Sequence, residues 1–347
     1  MPRPPSTRQY LRLAPEFHGR PWGDYTPTFE VNIELLRDAA EARGLAFERL
    51  SARASRMSDG ERSVLFARRM PEATSVAARE ITADKDLTKQ FLEAAGLPVP
   101  IGRVFRKNQS TEARRFAEQL GGCVVKPLRG SGGHGISTNV TSRGSFDAAW
   151  AAAHRVGTGR GRVTIERHIE GYDHRLYVLD GQVVAGLRRD PAYVVGDGRS
   201  SIEELIMEKN LVRSENPYTA AKLIELNDVV RNRLQSVGLE QTTVLEAGQH
   251  LQLIGVSNVG SGGEAQDLGE SIHEGFCEMA VAAAAAIPGL YVAGIDLLAK
   301  DITAPPRSQD WAICEVNSNP DLALHHMPSG GTPRDVTGVL VARLFES

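Results

Sequence analysis

Two apolar runs near the carboxyl end each carry an acid that an interior strand does not accept without a partner. Leu290-Tyr-Val-Ala-Gly-Ile-Asp-Leu-Leu-Ala299 contains Asp296, and Trp311-Ala-Ile-Cys-Glu-Val-Asn-Ser-Asn-Pro320 contains Glu315. Both runs predict strands, the second stopping at the turn-forming Asn319-Pro320. The connection from Lys300 to Asp310, with Pro305-Pro306, is long enough to let them pair side by side. Side chains two apart on a strand share a face, so Glu315 and Asn317 point the same way. Asp296, Glu315 and Asn317 then converge as hard oxygen donors without thiol or imidazole. That set suits Mg²⁺ completed by water and nucleotide phosphates. A competing reading pairs the same acids with arginines at a strand edge.

The rest of the composition narrows the class. A chain of 347 residues allows a large core and two or three domains. Its net charge of −3 leaves no electrostatic footprint for nucleic acid. Three dispersed cysteines, at 123, 277 and 314, argue for a reducing compartment and against a disulfide framework. With no apolar signal core at the N-terminus, the expected location is the cytoplasm. The most apolar stretch, Met279 to Ala299, is broken by Pro288-Gly289 and Asp296, so it predicts a helix and a strand rather than a membrane span.

In chain order, Glu34 to Gly44 predicts a helix and Leu45 to Leu50 a strand, a β-α-β start without a dinucleotide glycine fingerprint. The aromatic, charged segment Phe17 to Tyr25 either lines a substrate site or packs as a loop. Ile81 to Gly96 predicts a helix capped at Thr82 or Asp84 and stopped by Gly96 and Leu97-Pro-Val-Pro100. Lys85 falls in its first turn, where the helix dipole disfavours a cation. A nearby anion accounts for it, and so does simple solvation. Next, Gly122 to Ile136 places Lys126 on a strand beneath a loop with glycines at 130, 132, 133 and 135. Such a loop lets backbone N–H groups wrap a phosphate, and Lys126 adds a point charge. It is not a Walker A loop, and a glycine-rich hairpin is the alternative. Ser142 to Val156 predicts a crossover helix. Val163 to Asp180 predicts two strands joined at Gly171, with Asp180-Gly181 turning into Gln182 to Leu187.

Four runs, in this order, resemble the ATP-grasp family of ligases. They are Asp84 to Lys89, Val125 to Gly135, Arg189 to Ile206, and Glu315 to Gly330. Within the family the chain is most like the ATP-grasp part of cyanophycin synthetase and the glutathione-synthetase half of bifunctional glutathione enzymes. The resemblance covers Thr74 to the C-terminus. It implies an α/β (α+β) fold in which two subdomains clasp ATP: a short N-terminal α/β domain at 1–80, a lid subdomain at 81–190 and a metal-bearing subdomain at 191–347.

By position, the resemblance gives Lys85 and Lys126 to the ATP phosphates, and Arg129, Gly130, Ser131, Gly132, Gly133 and Gly135 to the cover over them. It makes Glu166, Arg167, His168 and Ile169 the adenine hinge, Asp173 the ribose partner and Arg189 the residue that steadies the γ-phosphate and acyl-phosphate. Asp296, Glu315 and Asn317 match its magnesium ligands; two Mg²⁺ ions are expected, with Mn²⁺ a substitute. Substrate contacts are expected at Arg175, Asn258, Gly262, Gly263, Asn319, His325, Ser329 and Gly330, the histidine pair 325–326 being read equally well as packed. An arginine usual in the cyanophycin-type motif is replaced by Ala323, so polymer synthesis and aspartate–arginine specificity are not carried over.

The implied reaction is ATP-dependent joining of a carboxylate to an amine, between amino acids or small peptides, through an acyl-phosphate. Alternatives are a small-molecule kinase and a catalytically silent ATP-binding regulator. A homodimer is only the general expectation.

Overall fold

The computed structural model describes residues 21–26, 30–128, 135–156 and 161–346. The chain divides into two compact units. One comprises Met1–Glu72, Val184–Glu270 and Pro320–Ser347; the other comprises Ala73–Val183 and Ser271–Asn319. The class is mixed α/β with antiparallel sheets, as the sequence predicts.

The second unit begins with two helices, α1 (Val76–Ala83) and α2 (Lys85–Ala94). Of the two caps the sequence offers, Thr82 and Asp84, the structure uses Asp84, which is extended; the helix before it, α1, is not predicted. The Asp84 carboxylate accepts from the N–H groups of Asp86 and Leu87, satisfying orphan donors at the start of α2. Gly96 then ends the segment at φ +71°.

A four-stranded sheet follows, built from β1 (Gly102–Arg106), β2 (Cys123–Pro127), β3 (Ser137–Val140) and β4 (Arg162–Arg167), in the order β1-β4-β2-β3. Helices α3 (Ser110–Leu120) and α4 (Arg143–Val156) cover one of its faces. Cys123, Val125, Val163 and Ile165 alternate into that face and join Phe105, Phe146 and the helices' alanines in one core. The same period of two turns Lys126 and Glu166 to the opposite face. The core therefore aims the two charged side chains.

The unit's second sheet contains β5 (Tyr172–Leu179), β6 (Val292–Ala299) and β7 (Trp311–Asn317), antiparallel, with β6 between the other two. Helix α5 (Glu274–Ala285) packs on β5 and β6. The apolar run of β6 is thus buried almost throughout, as an interior strand should be. At the turn after β5, Asp180 and Gly181 both have positive φ, the conformation that the Asp-Gly pair predicts.

In the first unit, helix Val31–Glu41 leads into an antiparallel meander of strands Ala46–Ser51, Ala54–Ser58, Ser63–Ala67 and Met70–Pro71. The predicted helix and first strand are present, but that strand enters a meander rather than a β-α-β unit. The C-terminal helix Val336–Phe345 packs on helix Val31–Glu41. Helices Ile202–Glu215 and Asp228–Ser236 enclose a separate core with Val194, Leu245 and Leu253. Among the described residues, no helix is long and apolar enough to cross a membrane. Of Phe17 to Tyr25, residues 17–20 lie outside the described ones.

Gly171 makes the closest backbone approach in the second unit. A Cβ there, at φ +156°, would stand 2.5 Å from the Ala299 carbonyl carbon and 2.7 Å from its oxygen. Backbone on both sides cannot yield as a side chain tip would. Gly171→Ala should therefore destabilise the protein by about 1–3 kcal/mol, the usual range for overpacking, read as a lowered urea midpoint.

Candidate active site

Both sheets of the second unit contribute to one constellation. Registry in the second sheet sets Asp296 directly opposite Glu315 on β7 and opposite Arg175 on β5. Asn317 is opposite Gly294, and Asp173 is opposite Leu298, so Asp173, Arg175, Asp296, Glu315 and Asn317 share one sheet face. Alternation alone would not carry that face along β7. The ladder pairs Leu297 with Ile313 and Asp296 with Glu315, leaving Cys314 as the extra residue of a bulge.

The acids do not stand alone. Arg175 forks onto Asp296, Nε donating to Oδ1 and Nη2 to Oδ2, both at 2.7 Å. These side chains are only 13% and 7% exposed, so the carboxylate is neutralised where water is scarce. Lys85 Nζ lies 3.3 Å from Glu315 Oε2. The pairing of Asp296 with an arginine is the competing reading from sequence, and it is present alongside the placement of the three oxygen donors on one sheet face. Lys85 is not a solvated lysine: it sits at the first position of α2, against the dipole, with Glu315 as its anion.

In the first sheet, Lys126 is opposite Thr164 and Glu166 is opposite Val124, which makes the two charged residues diagonal neighbours. Lys126 Nζ is 2.6 Å from Glu166 Oε2, and both side chains are 10% exposed. Burial works against the ammonium, but Glu166, with Cys314 and Glu315 behind it, outweighs burial and raises the Lys126 pKa above its ordinary value. Lys85, Lys126, Glu166 and Glu315 line one narrow cleft together with Leu92, Pro100 and Ile313. Cys314 also faces it, its thiol pushed up to about 12 by burial, so it is no nucleophile at neutral pH. Thr82, at the end of α1, donates its hydroxyl to Ser318 just beyond β7 at 2.8 Å. That bond ties the helix carrying Lys85's cap to the strand carrying Glu315.

The other residues singled out from sequence distribute as follows. Arg129, Gly130, Ser131, Gly132 and Gly133 lie outside the described residues. Gly135 has φ +73°, and a Cβ there would crowd Pro127 and Val156. At the expected hinge, the Arg167 N–H donates to Ile101 O and the His168 N–H to Gly122 O, while Arg167 forks onto Asp310. Two of the hinge amides are therefore occupied by the chain itself; Ile169 is buried beside them. Asn319 is half-buried at the end of the unit.

Arg189, Asn258, Gly262, Gly263, His325, Ser329 and Gly330 belong to the first unit. Arg189 pairs with Ala265 between strands Gln182–Asp190 and Glu264–Asp267. Asn258 caps the short turn Val259–Ser261, and Gly262 and Gly263 follow where a Cβ would strike Ile224 or the Asp190 carbonyl. Ser329 and Gly330 are pinned to the strand of Ala265 by backbone hydrogen bonds. His325 and His326 are wholly buried, and His326 Nε2 is bonded to Thr337.

One cluster of the first unit escapes sequence reading. The buried Arg213 guanidinium donates to the carbonyls of Lys222, Val259 and Gly263. Lys222 stands over the Tyr218 ring, and Tyr218 donates its hydroxyl to Asp321 at 2.8 Å. Burial pulls Lys222 down to about 8 although Asp321 opposes the shift. Asp321 lies inside the motif Glu315 to Gly330, which is the signal that was available. Nothing in Asn216 to Leu226 marks Lys222 as half-buried over an aromatic ring.

The two carboxylates and the amide suit a hard divalent cation. Among the described residues, no group of three or more His, Cys, Asp and Glu side chains is placed to hold a metal. The set here has two acids, with Asn317 as the third donor. Asn317 Nδ2 is buried without a hydrogen-bond partner, and rotating that amide would put its oxygen in the same place. The donors therefore fit magnesium.

No protein-family model matches the chain. It is 35% identical over 319 residues to a cyanophycin synthetase of Trichormus variabilis, an alignment covering 90% of this chain and 35% of that protein. It is 34% identical over 275 residues to the glutathione biosynthesis bifunctional protein GshAB of Enterococcus faecalis, covering 76% of this chain and 35% of that one. Among solved structures, a bifunctional glutathione synthetase from Pasteurella multocida superposes with a TM-score of 0.67 at 28% identity, covering 92% of this chain and 44% of that chain. The chain thus spans about a third of the length of the curated relatives it matches.

The Lys126–Glu166 pair gives a test of the site's electrostatics. Lys126→Met and Glu166→Gln should each cost about 3–5 kcal/mol by stranding a buried charge, and the double variant much less than their sum. A denaturant double-mutant cycle measures this. Because the folded Lys126 pKa is raised, the stabilisation is complete below the ordinary value of 10.5 and is lost only as pH climbs through the higher folded value. The wild-type advantage over Lys126→Met should accordingly stay flat from pH 6 to about 9.

Proposed function

Because the chain carries the ATP-grasp fold and is related to cyanophycin synthetase and to bifunctional glutathione proteins, we propose that it is an ATP-dependent carboxylate–amine ligase joining amino acids or small peptides. The observation that carries this reading is the opposition of Asp296 and Glu315 across β6 and β7, beside a cleft lined by Lys85 and Lys126. Acids alone would serve a metal and lysines alone an anion. Together they are matched to a metal–triphosphate complex.

A carboxylate is a poor electrophile and must be activated before an amine can attack it. Transfer of a terminal phosphoryl group to it needs in-line placement and neutralised oxygens. Magnesium, held by Asp296, Glu315 and Asn317, supplies that neutralisation when bound. Lys126 contributes a fixed positive charge, its position set by Glu166 rather than by solvent. Lys85 contributes another from the start of α2, where the helix N-terminus also favours an anion. Arg189 is assigned to the acyl-phosphate and to the oxyanion formed when the amine adds. Asn258, Gly262 and Gly263 are assigned to the acceptor side, and the cover at Gly130 to Gly135 to water exclusion. Asp173 and the Glu166–Ile169 segment are assigned to the nucleoside.

Screening amino acids and dipeptides in pairs should find phosphate release that requires an added amine. A stable phosphorylated product from one hydroxylated substrate would instead mark a kinase. Glu315→Gln removes a ligand worth several kcal/mol of charge stabilisation, so ATP turnover should fall at least about a hundredfold while the circular dichroism spectrum is unchanged. Unchanged turnover would refute the assignment of Glu315.

A further inference from the structure

Four charges cross the candidate metal face in a row. Arg175 forks onto both oxygens of Asp296, Glu315 stands opposite Asp296 on the other side, and Lys85 reaches Glu315 from α2. The order along this row is cation, anion, anion, cation, and Asp173 adds a further carboxylate two residues before Arg175 on the same face. We propose that Arg175 is a positioning residue that competes with a divalent cation for Asp296, so that metal and nucleotide enter this site together by exchange of partners. The inference rests on the reading that Asp296 and Glu315 hold the metal.

The argument is one of charge and shape. A lone divalent ion would have to prise the guanidinium from at least one Asp296 oxygen. It would then leave Arg175 and Lys85 beside added positive charge, in a place where the Arg175 and Asp296 side chains are only 13% and 7% exposed. A nucleotide without a metal would set its phosphates against two carboxylates. The complex avoids both conflicts: the cation takes the carboxylates, and the phosphates take Arg175 and Lys85. An arginine fork suits this exchange because its geometry matches phosphate as well as carboxylate. Each ligand therefore raises the affinity of the other, and by equal factors. Lys126 keeps its own partner, Glu166, on the other sheet and feels Glu315 only as a weaker, longer-range charge.

Binding of Mn²⁺ to the full chain, followed through the electron paramagnetic resonance of free Mn²⁺, tests this with and without a non-hydrolysable ATP analogue. In Arg175→Gln the competitor is gone, so Mn²⁺ alone should bind on the order of tenfold tighter than in wild type. The enhancement by the analogue should shrink by a similar factor. Mn²⁺ affinity that is unchanged or weaker in a folded Arg175→Gln protein would overturn the proposal. If that variant does not fold, Arg175→Lys keeps the charge but loses the fork, and Mn²⁺ alone should still bind severalfold tighter; no gain there overturns it equally. Asp296→Asn separates the proposal from the reading beneath it. Loss of Mn²⁺ in Asp296→Asn with no gain in Arg175→Gln sinks only the exchange. Full retention of Mn²⁺ in Asp296→Asn sinks the metal assignment as well.

Discussion

A carboxylate in the middle of a buried strand has to be neutralised by something, and the fork of Arg175 on Asp296 does this at the centre of the second sheet. Much of the surrounding arrangement follows from that requirement. Strand β6 is interior, so its acid can be met only by neighbours in register. Those neighbours are an arginine on one side and a second acid on the other, itself met by Lys85. The cleft is built from charges that satisfy one another, which keeps a polar site intact inside a well-packed unit.

What the sequence revealed was chiefly what periodicity and chain breaks control. Strands β6 and β7, the Lys126 strand, helix α4 and the Asp180-Gly181 turn all occur where alternation, apolar runs and turn residues place them. The opposition of Asp296 and Glu315 across neighbouring strands was legible because an acid within an apolar strand is costly and so informative. Asp84 was legible as one of two possible caps, but helix α1 before it was not, since local pattern did not choose between Thr82 and Asp84. Partnership was the hardest to read. Whether Lys85 meets water or Glu315 depends on a contact across 230 positions of sequence, which no local pattern encodes.

The same limit explains the first unit. Its meander follows a strand that, on its own, fits a β-α-β start equally well, because a single strand does not announce its pairing direction. Arg213 and Lys222 are exposed types by composition, yet one is buried and the other is held over the Tyr218 ring. Carbonyls from separated loops pay no visible tribute in sequence, so a guanidinium that gathers them looks like any helix surface residue. The histidine pair illustrates the converse. Residues 325 and 326 sit in a chemically suggestive motif, but they are wholly enclosed, and His326 is bonded to Thr337.

The bulge at Cys314 carries a consequence for how this region can change over time. One surplus residue in β7 is what brings Glu315 and Asn317 onto the face of Asp296 while Trp311 and Ile313 stay with the opposite one. Exchanges of one side chain for another leave that phase untouched. Loss or gain of a single codon between Trp311 and Asn317 would reverse it, sending both donors to the wrong side of the sheet. The segment should therefore be held to its length as strictly as Glu315 and Asn317 are held to their identity.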